Sequence, residues 1–445
     1  MSDGDNDTSR QQGKQHRGQV GWATVTGTPK EFQPMKNNRT RVVVLGSGFA
    51  SVNFLRVIDS RRHQLTVVSP RDHFLFTPLL PSTTVGTLDF RSIIESVRRV
   101  CPEALYYQAE AIGVDFESRT LHCRTVFDAS EFSLSYDRLI IGVGATANTF
   151  ELPGVREHTH FLKELSDARS IREHILETFE RAAHPLQSEA DRQRILHFVV
   201  VGGGPTGVEF AAELHDFITE DLRRHYKELI RHVRITIVEA GPTILTTFDD
   251  VLRAYTMKIF RRHRITVRTS SPVIAVRSGH MTLADGSELD YGMAVWTAGI
   301  APVGFIRSLG LAKDGSGRLL TDEYLCVKGL VDVFALGDCM AIEGRPFPST
   351  AQTAQQQGAY LARAFNRRAR GKLVPRFHYR HYGMLAYVGG GRALADLESV
   401  KGRGFAAWLF WRSAYVTRIV SVKNKTLVLF DWLKTAVFGR DLSKF

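Results

Sequence analysis

No two of the four cysteines lie close together in the chain: Cys101, Cys123, Cys326 and Cys339 form no Cys-x-x-Cys pair. That spacing excludes a disulfide framework, a dithiol relay and a thiolate zinc cluster, and it leaves buried structural thiols as the expectation. Long apolar runs are missing as well. The longest, near 405–411 and 426–430, fall well short of the roughly 18 to 20 residues that a membrane-spanning helix needs, so no integral membrane segment is expected. Acidic residues are in deficit: 46 Asp and Glu against 58 Lys and Arg give a formal charge of +12 over 445 residues. An anionic partner follows, be it nucleic acid, a phosphate-rich cofactor or an acidic lipid surface.

Residues 1–40 lack hydrophobic periodicity and read as a disordered tail. Asp3, Asp5 and Asp7 mimic the start of a calcium loop, but Thr8 stands where its glycine belongs and no glutamate closes it, so no metal is expected. The acidic start also makes a poor transit peptide, although Arg10, Lys14 and Arg17 follow. At the other end, Ser443-Lys444-Phe445 matches the peroxisomal Ser-Lys-Leu signal only imperfectly, which sets a peroxisome-like organelle behind other locations.

What the chain does contain is two glycine turns of one kind. Residues 195–201 form an apolar run, Gly202-Gly203-Gly204-Pro205-Thr206-Gly207 follows, and 210–229 reads as a helix. Gly202 permits a tight turn, Gly204 lets backbone approach a pyrophosphate, and Gly207 lets helix pack on strand, with the helix N-terminus facing the phosphates. An earlier unit has a strand at 41–45, then Gly46-Ser47-Gly48-Phe49-Ala50-Ser51, a helix ending near Asp59, and a strand at 64–68. Its second strand ends in Ser69-Pro70-Arg71, with no acid to hold a ribose, so Ser69 or Arg71 takes over that contact or the turn is only structural. In the later unit Glu239 closes the strand at 233–238 and favours NADH over NADPH, because a carboxylate accepts from ribose hydroxyls and repels a 2′-phosphate. Glu239 stands further beyond Gly207 than the usual ~20 residues, which implies a long crossover helix.

Two strand-to-glycine passages follow these units, one ending at Gly144 and the other at Ala298 and Gly299. A strand at 331–336 then leads into Gly337 and Asp338, where the aspartate reads either as a ligand of a flavin ribityl chain or as a simple turn residue. Gln352 and Gln356 stand four apart and share one helix face. Near the C-terminus, Trp408, Phe410, Trp411, Tyr415, Phe430, Trp432 and Phe438 interleave with basic residues, and Leu427, Phe430, Leu433 and Val437 recur at helical spacing. That pattern suits a helix lying on an anionic membrane surface, or one packed on its own domain or a dimer partner.

In this order the motifs resemble the two-dinucleotide-binding-domain flavoproteins, and within them the type II NADH dehydrogenases, the single-subunit NADH:quinone oxidoreductases. The stretches at 69–82, 202–214, 351–358, 389–397 and 430–434 carry the likeness. The resemblance implies an α/β fold of two nested Rossmann-like, glutathione-reductase-like domains with a C-terminal amphipathic membrane-anchoring region. FAD would lie in 41–160 and 320–375, NADH in 161–319, and membrane association and quinone access in 376–445. It implies FAD held non-covalently by Gly46, Gly48, Phe49, Ala50, Ser69, Pro70, Arg71, Thr77, Pro78, Gly144, Gly337 and Asp338. NADH would be held by Gly202, Gly203, Gly204, Pro205, Thr206, Gly207, Glu239, Ala298 and Gly299, with Glu209 near the nicotinamide. Gln352, Gln356 and Tyr415 would line the quinone pocket.

The activity so implied passes a hydride from NADH to flavin N5 and then two electrons to ubiquinone, without proton pumping, at the mitochondrial inner membrane as a peripheral protein. No nucleic-acid partner is expected, since no such module appears. Two rivals remain. A sulfide:quinone oxidoreductase would need a cysteine pair near the flavin, where only Cys339 is placed. A non-catalytic, apoptosis-factor-like flavoprotein would act by NADH-dependent association and DNA binding.

Overall fold

Short, apolar, parallel strands assemble two separate five-stranded sheets in a computed structural model that describes residues 39–345 and 347–444. The tail at 1–38 and the final Phe445 lie outside the described residues, as do the expectations that rest on them. In the first sheet the order is Val333–Ala335, Arg138–Ile141, Thr40–Leu45, His63–Val68 and Leu105–Tyr107, all parallel. The second runs His160–Phe161, Met293–Trp296, His197–Val201, Arg234–Val238 and Ile265–Arg268, also parallel throughout. Continuous burial along His197–Val201 and through Val42–Leu45 is what a parallel strand covered on both faces requires. A third, antiparallel sheet of Met384–Gly389, Arg392–Asp396 and Lys401–Gly404 precedes two C-terminal helices, Phe405–Arg418 and Val422–Phe438.

The two nucleotide units differ from the sequence expectation mainly at their helices. The first helix, Phe49–Leu55, stops short of Asp59. The second begins at Pro205, whose missing N–H costs nothing in a first turn, and its α-helical part ends at Phe217 rather than Leu229. A π-helical segment, Ile218–Leu222, and short turns fill the rest of the crossover. Sequence periodicity alone does not register the change of hydrogen-bonding step, because the apolar side chains continue through it.

The C-terminal helix is inside out. Asn424, Val428, Asp431 and Trp432 are buried, whereas Val422, Leu429, Phe430, Leu433, Val437 and Phe438 are exposed, Phe438 to 81%. Polar side chains do the docking: Asp431 accepts from the Asp89 N–H (3.0 Å) and the Ser92 hydroxyl (2.6 Å), and the Asn424 amide donates to the Ile94 carbonyl (2.6 Å). Phe405, Leu409 and Phe410 of the preceding helix are exposed as well. Among the described residues no helix is long and apolar enough to cross a membrane.

The long helix Ala351–Arg368 lies against Phe49–Leu55 so closely that a Cβ on Gly358 would sit 2.0 Å from the Ala50 carbonyl oxygen. Gly358→Ala is therefore expected to lower stability by about 1–3 kcal/mol, read by thermal unfolding. Gly304→Ala, where a Cβ meets nothing within 4 Å, should change it little.

Candidate functional site

The second glycine turn divides its labour among its glycines. Gly202 has φ +111°, a left-handed conformation that favours glycine, and a Cβ there would meet Ala298 N at 2.9 Å. At Gly207 a Cβ would lie 2.1 Å from the Gly202 carbonyl, so the helix could not approach its strand. Gly204 is different: its φ of −72° suits any residue and a Cβ would touch nothing within 4 Å. In the first turn Gly46 has φ +92° with Gly142 O at 2.4 Å from its would-be Cβ, while Gly48 (φ −83°) again faces open space. At Gly48 and Gly204 the backbone is bare beside a void, which is the cradle a dinucleotide phosphate needs.

Glu239 closes the second turn from below. Its carboxylate accepts from Gly203 N–H (2.6 Å) and Gly241 N–H (2.7 Å), so the acid is tied to the loop it follows. Ala298 lies beside Gly202, Gly299 lies against Phe150 and Asn148, and the Thr297 hydroxyl bonds the Val201 carbonyl (3.0 Å). Pro205 and Thr206 are the first residues of the Pro205–Phe217 helix.

On the first unit's side, Ser69 donates to Ser47 Oγ (3.1 Å), and Arg71 pairs with Glu164 (2.6 Å) while donating to the His73 carbonyl. Pro70 is exposed, Ala50 is buried, and Thr77 and Pro78 open a 3₁₀ turn. Gly144 and Gly337 both have positive φ, and Asp338 lies 3.7 Å from Lys163 Nζ. Phe49 meets Phe74 edge-on at 4.9 Å. Gln357, which sequence reasoning left without a role, is 1% exposed and its Oε1 accepts from the Gly337 N–H at 2.6 Å, fixing the Gly-Asp turn. Its only signal was a third glutamine beside two others.

Gln352 and Gln356 share a face, but their amides are committed. Gln352 bonds the Gly383 carbonyl and the Tyr382 N–H, and Gln356 bonds both backbone groups of Arg380. They hold the 380–383 segment in place, a use that glutamine's paired donor and acceptor serve well and that spacing alone does not reveal.

Glu209 joins a group from three distant parts of the chain. It is 7% exposed, accepts from the Tyr387 N–H (3.1 Å), and lies near Trp411, while Trp411 packs on Tyr415 (4.9 Å) and Tyr415 on Phe76 (6.1 Å). Burial pushes the Glu209 carboxyl up to about 8, despite the hydrogen bond from the Tyr387 N–H and the proximity of Trp411, and the nearby Glu213 adds to the rise. The Tyr415 hydroxyl is likewise raised, by burial first and then by Glu209. Tyr415 itself is only half-buried, with its ring packed on Trp411 and Phe76. At neutral pH the cluster holds a protonated carboxyl within a mostly aromatic wall, a group able to donate a hydrogen bond or a proton.

One helical turn on, Glu213 accepts from Ser82 (2.6 Å) and Thr87 (2.8 Å) and faces Arg440 (3.9 Å), while Asp216 accepts from Tyr387 Oη (2.5 Å) and the Gly390 N–H (2.9 Å). Cys101, Cys123 and Cys339 are buried, and burial pushes the Cys339 thiol up to about 12, away from the thiolate that redox chemistry uses.

Residues 40–358 match the pyridine nucleotide-disulphide oxidoreductase family, and 381–441 match the NDH2 C-terminal domain. The "Probable NADH dehydrogenase" of Dictyostelium discoideum is 42% identical over 91% of this chain and 91% of its own length. The mitochondrial internal alternative NAD(P)H-ubiquinone oxidoreductase A1 of Arabidopsis thaliana is 40% identical over 92% and 86%. Among solved structures, NDH2 from Plasmodium falciparum in complex with NADH superposes with TM-score 0.87 at 28% identity, over 91% of this chain and all of that one. The sulfide:quinone oxidoreductase of Aquifex aeolicus, at TM-score 0.69 and 16% identity over 90% and 96%, shares the fold alone.

Because the folded carboxyl of Glu209 titrates above its unfolded value near 4.5, the folded state retains a proton that the unfolded chain releases. The stability this group contributes is present below pH 4.5 and is lost as pH rises to about 8. Glu209→Gln should therefore become more stable relative to the parent across that window and hold its advantage above it, as thermal unfolding against pH will measure.

Proposed function

This chain belongs to the type II NADH dehydrogenases, and we propose that it oxidises NADH and reduces ubiquinone at one FAD, without moving protons across a membrane. What carries the reading is Glu209: a carboxyl from the nucleotide-binding half of the chain bonded to backbone of the segment that matches the NDH2 C-terminal domain. FAD, when bound, accepts a hydride from NADH and returns two electrons to the quinone.

The chain's own residues then have these tasks. Gly202, Gly203, Gly204, Pro205, Thr206 and Gly207 receive the NADH pyrophosphate, Glu239 accepts from its ribose, and Ala298 and Gly299 flank it. Gly46, Gly48, Phe49, Ala50, Ser69, Pro70, Arg71, Thr77, Pro78, Gly144, Gly337 and Asp338 hold FAD, with Gln357 fixing the turn of the last pair. Residues 41–160 and 320–375 form the FAD domain, 161–319 the NADH domain and 376–445 the quinone-access region. Tyr415 lines the quinone pocket, and Glu209, near the nicotinamide, reaches the quinone side as well through Trp411 and Tyr415, where its protonated carboxyl would hand a proton to a reduced quinone oxygen. Gln352 and Gln356 act by holding the backbone at 380–383, which shapes the same pocket.

The exposed apolar face of the two C-terminal helices lies in a membrane interface, in mitochondria at the inner membrane, where a lipophilic quinone is collected. A homodimer through the same face is the competing use of it. Arg412, clasped between Trp408 (3.9 Å) and Trp432 (4.5 Å), stiffens the helix pair.

Purified protein should be yellow and should turn over NADH with a short-chain quinone; a colourless protein, or one that prefers NADPH, would sink the proposal. Glu239→Ala is expected to raise KM for NADH about tenfold or more with little change in kcat. Cutting the chain at Val422 would remove the buried anchors Asn424 and Asp431, so the membrane contact is better tested by Phe430→Ser with Leu433→Ser and Phe438→Ser. That variant should release the protein from vesicles and keep soluble-quinone turnover; retained vesicle binding would refute the interfacial role.

A further inference from the structure

Outside the redox site, one carboxylate stands out. Glu95, in the short strand Ile94–Ser96, is 3% exposed and neither of its oxygens has a hydrogen-bond partner among the described residues. Beside it the buried Asn424 (2% exposed) gives its amide N–H to the Ile94 carbonyl and leaves Oδ1 without a donor. Burying a charge unpaired costs several kcal/mol as a rule, so a fold that keeps one is either strained or waiting for a partner.

Glu95 lines a cavity with Arg56, Arg99, Val100, Val420 and Ser421. Both arginines are exposed, and neither forms an ion pair or a side-chain hydrogen bond among the described residues. The cavity thus presents a buried acceptor floor and a cationic rim. A metal ion does not suit it, because two guanidiniums oppose a cation and one carboxylate with one amide oxygen falls short of a hard cation's oxygen shell. A bare phosphate suits the rim but is repelled by the floor.

We infer that this cavity binds a phosphoethanolamine group, its ammonium on Glu95 and its phosphate on Arg56 and Arg99. An ammonium brings three N–H donors to acceptors that now have none, and each arginine offers the planar fork that phosphate takes. A choline group, with no N–H, leaves the floor unsatisfied. The group comes from a lipid or from a soluble phosphodiester. Val420 and Ser421 bring the cavity to the turn between the two C-terminal helices, next to Val422, which is 79% exposed. The lipid source rests on the interfacial reading above, whereas the site itself does not.

The test uses the flavin-loaded full chain. In one arm, binding is measured to phosphatidylcholine vesicles with a fixed fraction of phosphatidylglycerol, with and without phosphatidylethanolamine replacing part of the phosphatidylcholine, so surface charge is constant. In the other, glycerophosphoethanolamine and glycerophosphocholine are titrated by calorimetry. The expected result is about tenfold tighter binding to the ethanolamine form in at least one arm, abolished by Glu95→Gln and by Arg56→Ala with Arg99→Ala. Preference in both arms assigns a lipid headgroup; preference in the soluble arm alone assigns a soluble phosphodiester and leaves the site standing.

Without ligand, Glu95→Gln should unfold at the same or a higher temperature, since it removes an unpaired buried charge. Equal binding of the two headgroups in both arms overturns the inference. So does a Glu95→Gln that is destabilised and non-additive with Arg56→Ala or Arg99→Ala, which would mean that an arginine folds over to satisfy Glu95.

Discussion

Three acids on one helix hold this molecule together. Glu209, Glu213 and Asp216 fall at i, i+4 and i+7, so all three point to one side of the Pro205–Phe217 helix, and all three are buried. The outer two are satisfied by the hairpin at Tyr387, Glu209 by the Tyr387 N–H and Asp216 by the Tyr387 hydroxyl and the Gly390 N–H, and the middle one, Glu213, by Ser82, Thr87 and Arg440. A buried carboxylate that loses its donors costs far more than one such bond contributes, so the first unit, the second unit and the C-terminal sheet are obliged to keep their relative placement. The helix that opens at the phosphate cradle is also the bolt between donor and acceptor halves. Burial works against ionisation of Asp216, yet hydrogen bonds from His215, Tyr387 and Gly390 hold its carboxyl low, while the same environment leaves Glu209 protonated at neutral pH. Two acids two turns apart on one helix thus carry different charge, and the neutral one is the one beside the aromatic wall.

The last helix reverses the usual rule for a surface helix, in which apolar residues turn inward. Here Asn424 and Asp431 turn inward because they have defined partners at Ile94, Asp89 and Ser92, and those bonds fix the helix without using its apolar stripe. The stripe remains exposed, as do Phe405, Leu409 and Phe410 of the helix before it, and exposed apolar side chains in such number mark an interaction surface. Tyr415 and Trp411 of these helices reach the cluster around Glu209, so one helix pair carries both the exposed apolar stripe and part of the wall beside that carboxyl.

Strands and glycine turns were legible because parallel, fully buried strands leave unbroken apolar runs and because positive φ demands glycine at Gly46 and Gly202. The C-terminal stripe at Phe430, Leu433 and Val437 was legible as a face; its direction was not, since polar docking by Asn424 and Asp431 depends on partners more than 300 residues earlier in the chain. Gln352 and Gln356 were legible as neighbours on a helix, yet their bonds go to backbone at 380–383, which carries no side-chain signature. Gln357, Glu213 and Arg440 went unread for the same reason: their partners, Gly337, Ser82, Thr87 and Asp221, are set by tertiary packing alone.

The glycines separate what the fold needs from what a ligand needs. Gly46, Gly202 and Gly207 are required by φ or by a neighbour within about 3 Å, and they would be glycine in an empty scaffold. Gly48 and Gly204 meet neither condition, and as the N-caps of the helices that open the two units their bare backbone fits the close approach of a phosphate. Glu239 extends the logic. Its two bonds from Gly203 and Gly241 occupy two of roughly four acceptor sites on a carboxylate and leave the others for further donors. A carboxylate already fixed by the loop loses little side-chain freedom on binding, which favours a site that fills and empties at every turnover over one that closes once.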